Sequence, residues 1–283
     1  MSTIRIPAAE AEAPLNPESP PGYNTPVSIG DGVYNDAFSR LRVSLPKLRF
    51  SGIFDAGKRP LLWDERSAGT GASVHLPNEQ SIAMSVASSG DEVVRQTKEY
   101  FVYRAGQSQF ALNTFVLGAP DANVTMEVGY FDDEDGVFLR RVGSALSVVL
   151  RSFATGAAVD TVIPRDDWDD KLDGSGRSGI DLNDQVAQIF AVDLQWLGVG
   201  RIRYYFDIGG VLVEFHSIMN ANTDKDAVYM RRAKLPLRWR IYAQDTPSGV
   251  VTMKQICGTV LREGGSDEPS IQHEADTGLS AVT

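Results

Sequence analysis

Two acidic runs are the first places where this chain could do chemistry. One is Asp132-Asp133-Glu134-Asp135, and the other is the set Asp166, Asp167, Asp169, Asp170 and Asp173. Hard cations such as calcium need several oxygens converging from one short loop. An EF-hand register through Asp133, Asp135 and Gly136 fails, because it puts Phe131 at the first ligand position and Val142 at the last. The default for both runs is a solvated turn. The second is the better cation candidate, through Asp166, Asp167, Asp169 and Asp173, because little else in that loop would order it. Gly174-Ser175-Gly176-Arg177-Ser178-Gly179 matches the dinucleotide-binding pattern in letters only. That motif needs a strand before it and a helix after it. Here it follows acids that repel phosphate and precedes a strand-like run, so a plain loop is expected.

The remaining signatures are negative. His75, His216 and His273 lie far apart without metal-ligand spacing, and His216 is expected on the polar face of its strand. There is no Gly-x-Ser-x-Gly elbow and no phosphate-binding loop. A single cysteine, Cys257, excludes an internal disulfide and a cysteine-rich zinc site; it reads as a small buried hydrophobe. The sequence therefore predicts a protein that is not an enzyme, with no catalytic residue and no cofactor. A net charge of −10 argues against a nucleic-acid grip, which needs clustered cations. No apolar leader or bilayer-length apolar span is visible, so no membrane partner is expected, and folding and assembly are expected in the host cytoplasm.

The elements that would position any site are strands. Val186, Phe190, Val192, Leu194 and Trp196 recur on alternate positions, and Ile202, Tyr204 and Phe206 resume the pattern after the Gly198–Gly200 bend. Asp207-Ile208-Gly209-Gly210 reads as a tight hairpin turn. Further strands are predicted at about 81–87, 92–104, 109–118, 123–131, 136–142, 146–153, 211–219, 237–244 and 250–261. No window holds a capped helical period. The expected fold is all-β, an antiparallel β-sandwich or jelly-roll-like body over residues 36–262, with a loop-rich insertion at about 154–185. At 283 residues such a body buries roughly 75% of its unfolded surface and needs no staple.

Both ends differ from the body. Residues 1–35 hold Pro7, Pro14, Pro17, Pro20, Pro21 and Pro26 and predict an extended arm; residues 263–283 form a polar tail. The expected partner contacts are Pro14, Pro17, Pro20, Pro21 and Tyr23 of the arm. Trp63 and Trp168 join them as aromatic anchors, whereas Trp196 and Trp239 read as core. Arg231 and Arg232 sit in the one basic patch and should face an acidic partner surface, which another copy of the chain could supply.

Several strings, in order, resemble a family of uncharacterised virion structural proteins of tailed phages, with relatives in large DNA viruses. They include Asp36-Ala37-Phe38-Ser39-Arg40-Leu41-Arg42-Val43-Ser44, Leu62-Trp63-Asp64-Glu65, Gly129-Tyr130-Phe131-Asp132 and the run from Asp193 to Arg203. Gln255-Ile256-Cys257 and Glu263-Gly264-Gly265 close the set. The resemblance implies a component of a virion and assigns no activity to any residue. The expectation is a structural subunit, a capsid decoration or cement protein, forming a homo-oligomer, with a trimer favoured. Its partners would be other virion proteins, major capsid or tail subunits. A tail, neck or fibre-associated protein is the first alternative, and a carbohydrate-binding or carbohydrate-cleaving β module the second.

Overall fold

The computed structural model describes residues 35–36, 46–224 and 226–263, and these build two antiparallel sheets packed face to face. In chain order the strands are β1 (Lys47–Gly52), β2 (Trp63–Ala68), β3 (Ala72–Leu76), β4 (Ser81–Val86) and β5 (Glu92–Thr97). Then come β6 (Ser108–Val116), β7 (Val124–Phe131), β8 (Gly136–Val142), β9 (Ala145–Ser152) and β10 (Val159–Pro164). Last are β11 (Ala187–Leu194), β12 (Ile202–Ile208), β13 (Val211–Ile218), β14 (Leu237–Ala243) and β15 (Val251–Glu263). The first sheet runs β13-β12-β11-β6-β15-β4-β3, with β1 continuing beside β15; the second runs β10-β9-β8-β7-β14-β5-β2. The chain crosses between the sheets repeatedly, which makes the body an all-β sandwich of jelly-roll-like form. The helical content of the described residues is one short 3-10 turn, Arg165–Asp167.

The period of two explains why the sheets pack as they do. Phe190, Val192 and Leu194 of β11 and Ile202, Tyr204 and Phe206 of β12 all point inward and are buried. From the second sheet Val128, Trp239 and Ile241 meet them in one continuous core. Each such side chain contributes roughly 1.5–3 kcal/mol on leaving water. The β12–β13 hairpin turns at Gly209 and Gly210, both at positive φ (62° and 85°), as the paired glycines predict.

One inter-sheet contact is cut to shape. Gly52 and Gly258 face each other across β1 and β15, and the indoles of Trp63 and Trp239 fill the recess they leave. The two rings meet edge-on, with centroids 5.5 Å apart. A Cβ at position 258 would lie 2.7 Å from the Trp239 ring and 2.8 Å from Leu237. Gly258→Val is therefore expected to lower stability by about 1–3 kcal/mol through overpacking. Denaturant titration checks this, and an unchanged midpoint would mean that the recess is slack.

Several expected boundaries shift. β5 ends at Thr97, so residues 98–104 are not strand, and β15 runs on to Glu263 instead of stopping at 261. β1, β2 and β3 are strands the sequence pattern did not announce, and β10 is a strand inside the segment expected to be loop. The Pro-rich arm, including Pro14, Pro17, Pro20, Pro21 and Tyr23, and the tail from 264 lie outside the described residues.

Candidate functional site

Charged side chains occupy alternate, outward positions on the second sheet, and their signs interleave across neighbouring strands. Arg66 of β2 approaches Glu92 of β5 at 3.5 Å, and Glu92 accepts from Arg240 of β14 at 2.6 Å. Arg240 reaches Glu127 of β7 at 3.2 Å, and Glu127 accepts from Arg140 of β8 at 2.8 Å. Arg140 also pairs with Asp160 of β10 at 2.5 Å, and Asp160 with Arg151 of β9 at 2.8 Å. One ion-pair ladder thus crosses all seven strands. Its centre is dry: Glu127 is fully buried, with a guanidinium on each oxygen. Burial works against the charge of Arg140 and Arg240, but Glu127 and its neighbours overcome it and hold both pKa values above the usual guanidinium range. Beside the ladder, Phe131 and Phe138 stack at 4.1 Å on the outward face, and Arg140, Arg151 and Arg238 lie over their rings.

The same surface corrects the expectation for the basic patch. Arg232 pairs with Asp132 at 2.6 Å and Glu134 at 2.8 Å, Arg231 pairs with Glu134, and Arg238 reaches Asp133 at 2.5 Å. The acidic surface that Arg231 and Arg232 face is the chain's own β7–β8 hairpin. Asp132 and Asp135 also take backbone amides of the turn and its neighbours, including that of Arg231. Their complementary charge comes from within the chain.

Part of the second acidic run is likewise turned inward or onto backbone. Asp170 is buried and accepts from the amides of Leu172 and Ser178. Asp173 takes the amide and hydroxyl of Ser175, which pull its carboxyl below the usual range. Asp169 accepts the amide of Ser217 and pairs with His216 at 3.2 Å, while Asp166 lies 4.0 Å from Lys171. Among the described residues no three His, Cys, Asp or Glu side chains converge as a cation site would require, so Asp166, Asp167, Asp169 and Asp173 do not form one. The Gly174–Gly179 stretch is a turn-rich loop, as expected.

His216 departs from the polar face assigned to it. A bulge between Tyr204 and Tyr205 shifts the β12–β13 register, pairs His216 with Tyr204, and buries it. Burial depresses its pKa, and the attraction of Asp169 offsets that only in part. Stability tied to His216 is thus complete above the unfolded histidine value of about 6.5 and is lost as pH falls below it. Cys257 is half-buried on the outward face of the first sheet, its thiol 3.1 Å from the Thr114 hydroxyl.

Trp63 and Trp168 are corrected more simply. Trp63 is 2% exposed inside the glycine recess, and Trp168 is 4% exposed, packed against Phe215 with its Nε1 donating to the Ile163 carbonyl. Both are core, so neither ring stands on the surface of the subunit as a partner anchor. Trp239 is core as expected, and Trp196 packs against the core with its Nε1 donating to the Met230 carbonyl.

What the sequence reading missed is a buried charge cluster that holds Asn35 and Asp36. On the outer side of the first sheet, Asp193 and Arg203 are both fully buried and pair at 3.0 Å. Ser108 donates to the same carboxylate, and Glu214 lies 3.6 Å from Arg203. Arg203 also donates to the carbonyl of Asn35, and Arg201 to that of Asp36 at 3.4 Å. Asn35 and Asp36 are themselves buried. Two arginines of the β11–β12 region therefore clamp the backbone of Asn35 and Asp36. The signal was available: Asp193, Arg201 and Arg203 are charges in an otherwise apolar alternating run.

No family model matches the chain, and no curated protein matches it. Among solved structures, it is similar to an endo-β-1,4-glucuronan lyase from the fungus Trichoderma reesei. The identity is 12% and the TM-score 0.46, over 77% of this chain and 96% of that one. A protein of unknown function from Shewanella oneidensis MR-1 aligns at 10% identity and TM-score 0.47, over 82% and 94%. The receptor binding domain of botulinum neurotoxin D aligns at 12% and 0.43, over 78% of this chain and half of that one. At these identities and scores the likeness is one of general form and transfers no residue's role.

Proposed function

We propose that the chain is a non-enzymatic structural component of a phage particle, a capsid-decorating subunit that docks on neighbouring virion proteins or further copies of itself through its N-terminal segment. The observation that carries the reading is the clamp on Asn35 and Asp36. Buried guanidiniums fix the backbone of Asn35 and Asp36, next in sequence to the proline-rich segment. A preset, extended segment on a fixed root loses less entropy on docking than a free tail. The ion-pair ladder supports the same role, since it ties all seven strands of one sheet without leaving a reactive group. The ordered series of strings resembling phage virion proteins supplies the particle.

Deleting residues 1–34 while keeping Asn35 and Asp36 tests it. The truncated protein is expected to keep its unfolding midpoint but to be lost from assembled particles, scored by mass spectrometry of purified virions. Incorporation at the full-length level would overturn the docking role. A second reading, a carbohydrate-binding β module, is favoured by one specific observation, a polar cleft beside β2.

A further inference from the structure

That cleft lies at the β2 edge of the second sheet, holds about 140 Å³, and is lined by Asp64, Glu65, Arg66, Val94, Gln96, Tyr100, Asp133 and Arg238. Register builds it: Asp64, Gln96 and Arg238 are direct partners across β2, β5 and β14, so their side chains stand in one outward row. Arg238, only 3% exposed, is locked beneath the floor. Its Nε donates to Gln96 Oε1 at 2.8 Å, its Nη1 donates to Asp133 at 2.5 Å, and it lies over the Phe131 ring. With its oxygen so held, Gln96 aims its amide nitrogen at the Tyr100 hydroxyl, 3.4 Å away. Asp64 has no ion pair among the described residues.

We infer that this cleft binds a single neutral pyranose ring, the terminal sugar of a glycan. The charges nearly cancel. Asp133 is shared between Arg238 and Arg66 (3.7 Å), and Glu65 is paired from behind with buried Arg95. Little field is left to attract a phosphate, sulfate or uronate. What remains is a small set of polar groups, the Asp64 carboxylate, the spare lone pairs of Asp133 and the hydroxyl of Tyr100, beside a Gln96 amide engaged at both ends. Groups that both donate and accept, such as vicinal hydroxyls, satisfy such a set. Tyr100 is the aromatic residue of the lining and offers the C–H face of the ring its contact, above a Val94 that is itself only 4% exposed. The volume is below the roughly 300–1,000 Å³ of sites for drug-sized ligands, which limits the occupant to one ring.

This inference rests on the carbohydrate reading and is independent of the docking role, so the two fail separately. The test titrates methyl β-D-glucoside and methyl β-D-galactoside into the full chain and follows backbone amide shifts, with sodium glucuronate as the anionic comparison. Saturable shifts centred on Gln96 and Tyr100 with a neutral glycoside are expected. In both Asp64→Asn and Tyr100→Ala they should weaken at least about tenfold, the loss that follows removal of one charged or stacking contact. Both side chains are at the surface, and an unchanged thermal midpoint confirms that each variant is folded. No saturable shift with either glycoside, equal or tighter binding of glucuronate, or shifts unaffected by either substitution would overturn the inference.

Discussion

Replacing Glu127 by alanine is expected to cost about 3–5 kcal/mol, a large share of the stability of a domain this size. The carboxylate is fully buried between Arg140 and Arg240, so its removal leaves two guanidiniums facing each other with nothing between them. Exposed pairs at the ends of the ladder behave differently. Arg66 is more than half exposed, and Arg66→Ala should cost no more than about 1 kcal/mol. Denaturant unfolding of both variants checks the contrast, and a loss below about 1 kcal/mol for Glu127→Ala would show that the centre of the ladder is solvated. The ladder also sets an acid limit. Burial works against the charge of Asp160, yet Arg151 and Arg140 outweigh it and hold its pKa below the ordinary carboxylate value. The stability it confers is complete above about 3.9, the unfolded aspartate value, and is lost as pH falls toward the folded one.

The central strands and the β13 edge were legible because their residues alternate, and the edge strands β2, β3 and β10 were not because theirs do not. β2 buries only Trp63 of its six residues, so Asp64-Glu65-Arg66 reads as a loop. β3 and β10 lie at sheet edges, where water replaces one neighbour and relaxes the pattern; β10 even ends on Pro164. β7 was placed correctly as a strand, but its burial at every position was not foreseen, because Phe131 on its outward side is roofed by arginines. Burial of Trp63 could not be read from its neighbours. The recess that accepts it is made by Gly52 and Gly258, brought together only by β1 and β15.

The candidate sites show the same limit. The letters of the ladder were visible, but several of its pairs join residues far apart in sequence, as Glu92 to Arg240 and Glu127 to Arg240 do, and so does Asp132 to Arg232 beside it. A basic run and an acidic run in one chain are the natural partners of each other whenever the fold can bring them together, and that was the missed inference for Arg231 and Arg232. For Asp169 and Asp170, loop amides and His216 compete for the oxygens that a cation would need.

Arg203→Ala should be the other severe substitution, again by about 3–5 kcal/mol, because it removes the guanidinium that neutralises the fully buried carboxylate of Asp193. Stability alone would not separate this pair's structural role from its hold on the N-terminal segment. The double change Asp193→Leu with Arg203→Met does so. Exchanging a buried ion pair for apolar side chains of similar size is often neutral or stabilising, so the double variant should unfold near the wild-type midpoint. It still lacks the guanidinium that donates to the Asn35 carbonyl. Hydrogen exchange in the peptide carrying Asn35 and Asp36 should therefore quicken while the sandwich strands keep their protection. If the clamp matters for docking, this stable variant should also be depleted from particles, as the truncation is. Unchanged exchange at that peptide in a fully stable double variant would mean that Arg203 serves only to neutralise Asp193, and that the segment is held by other means.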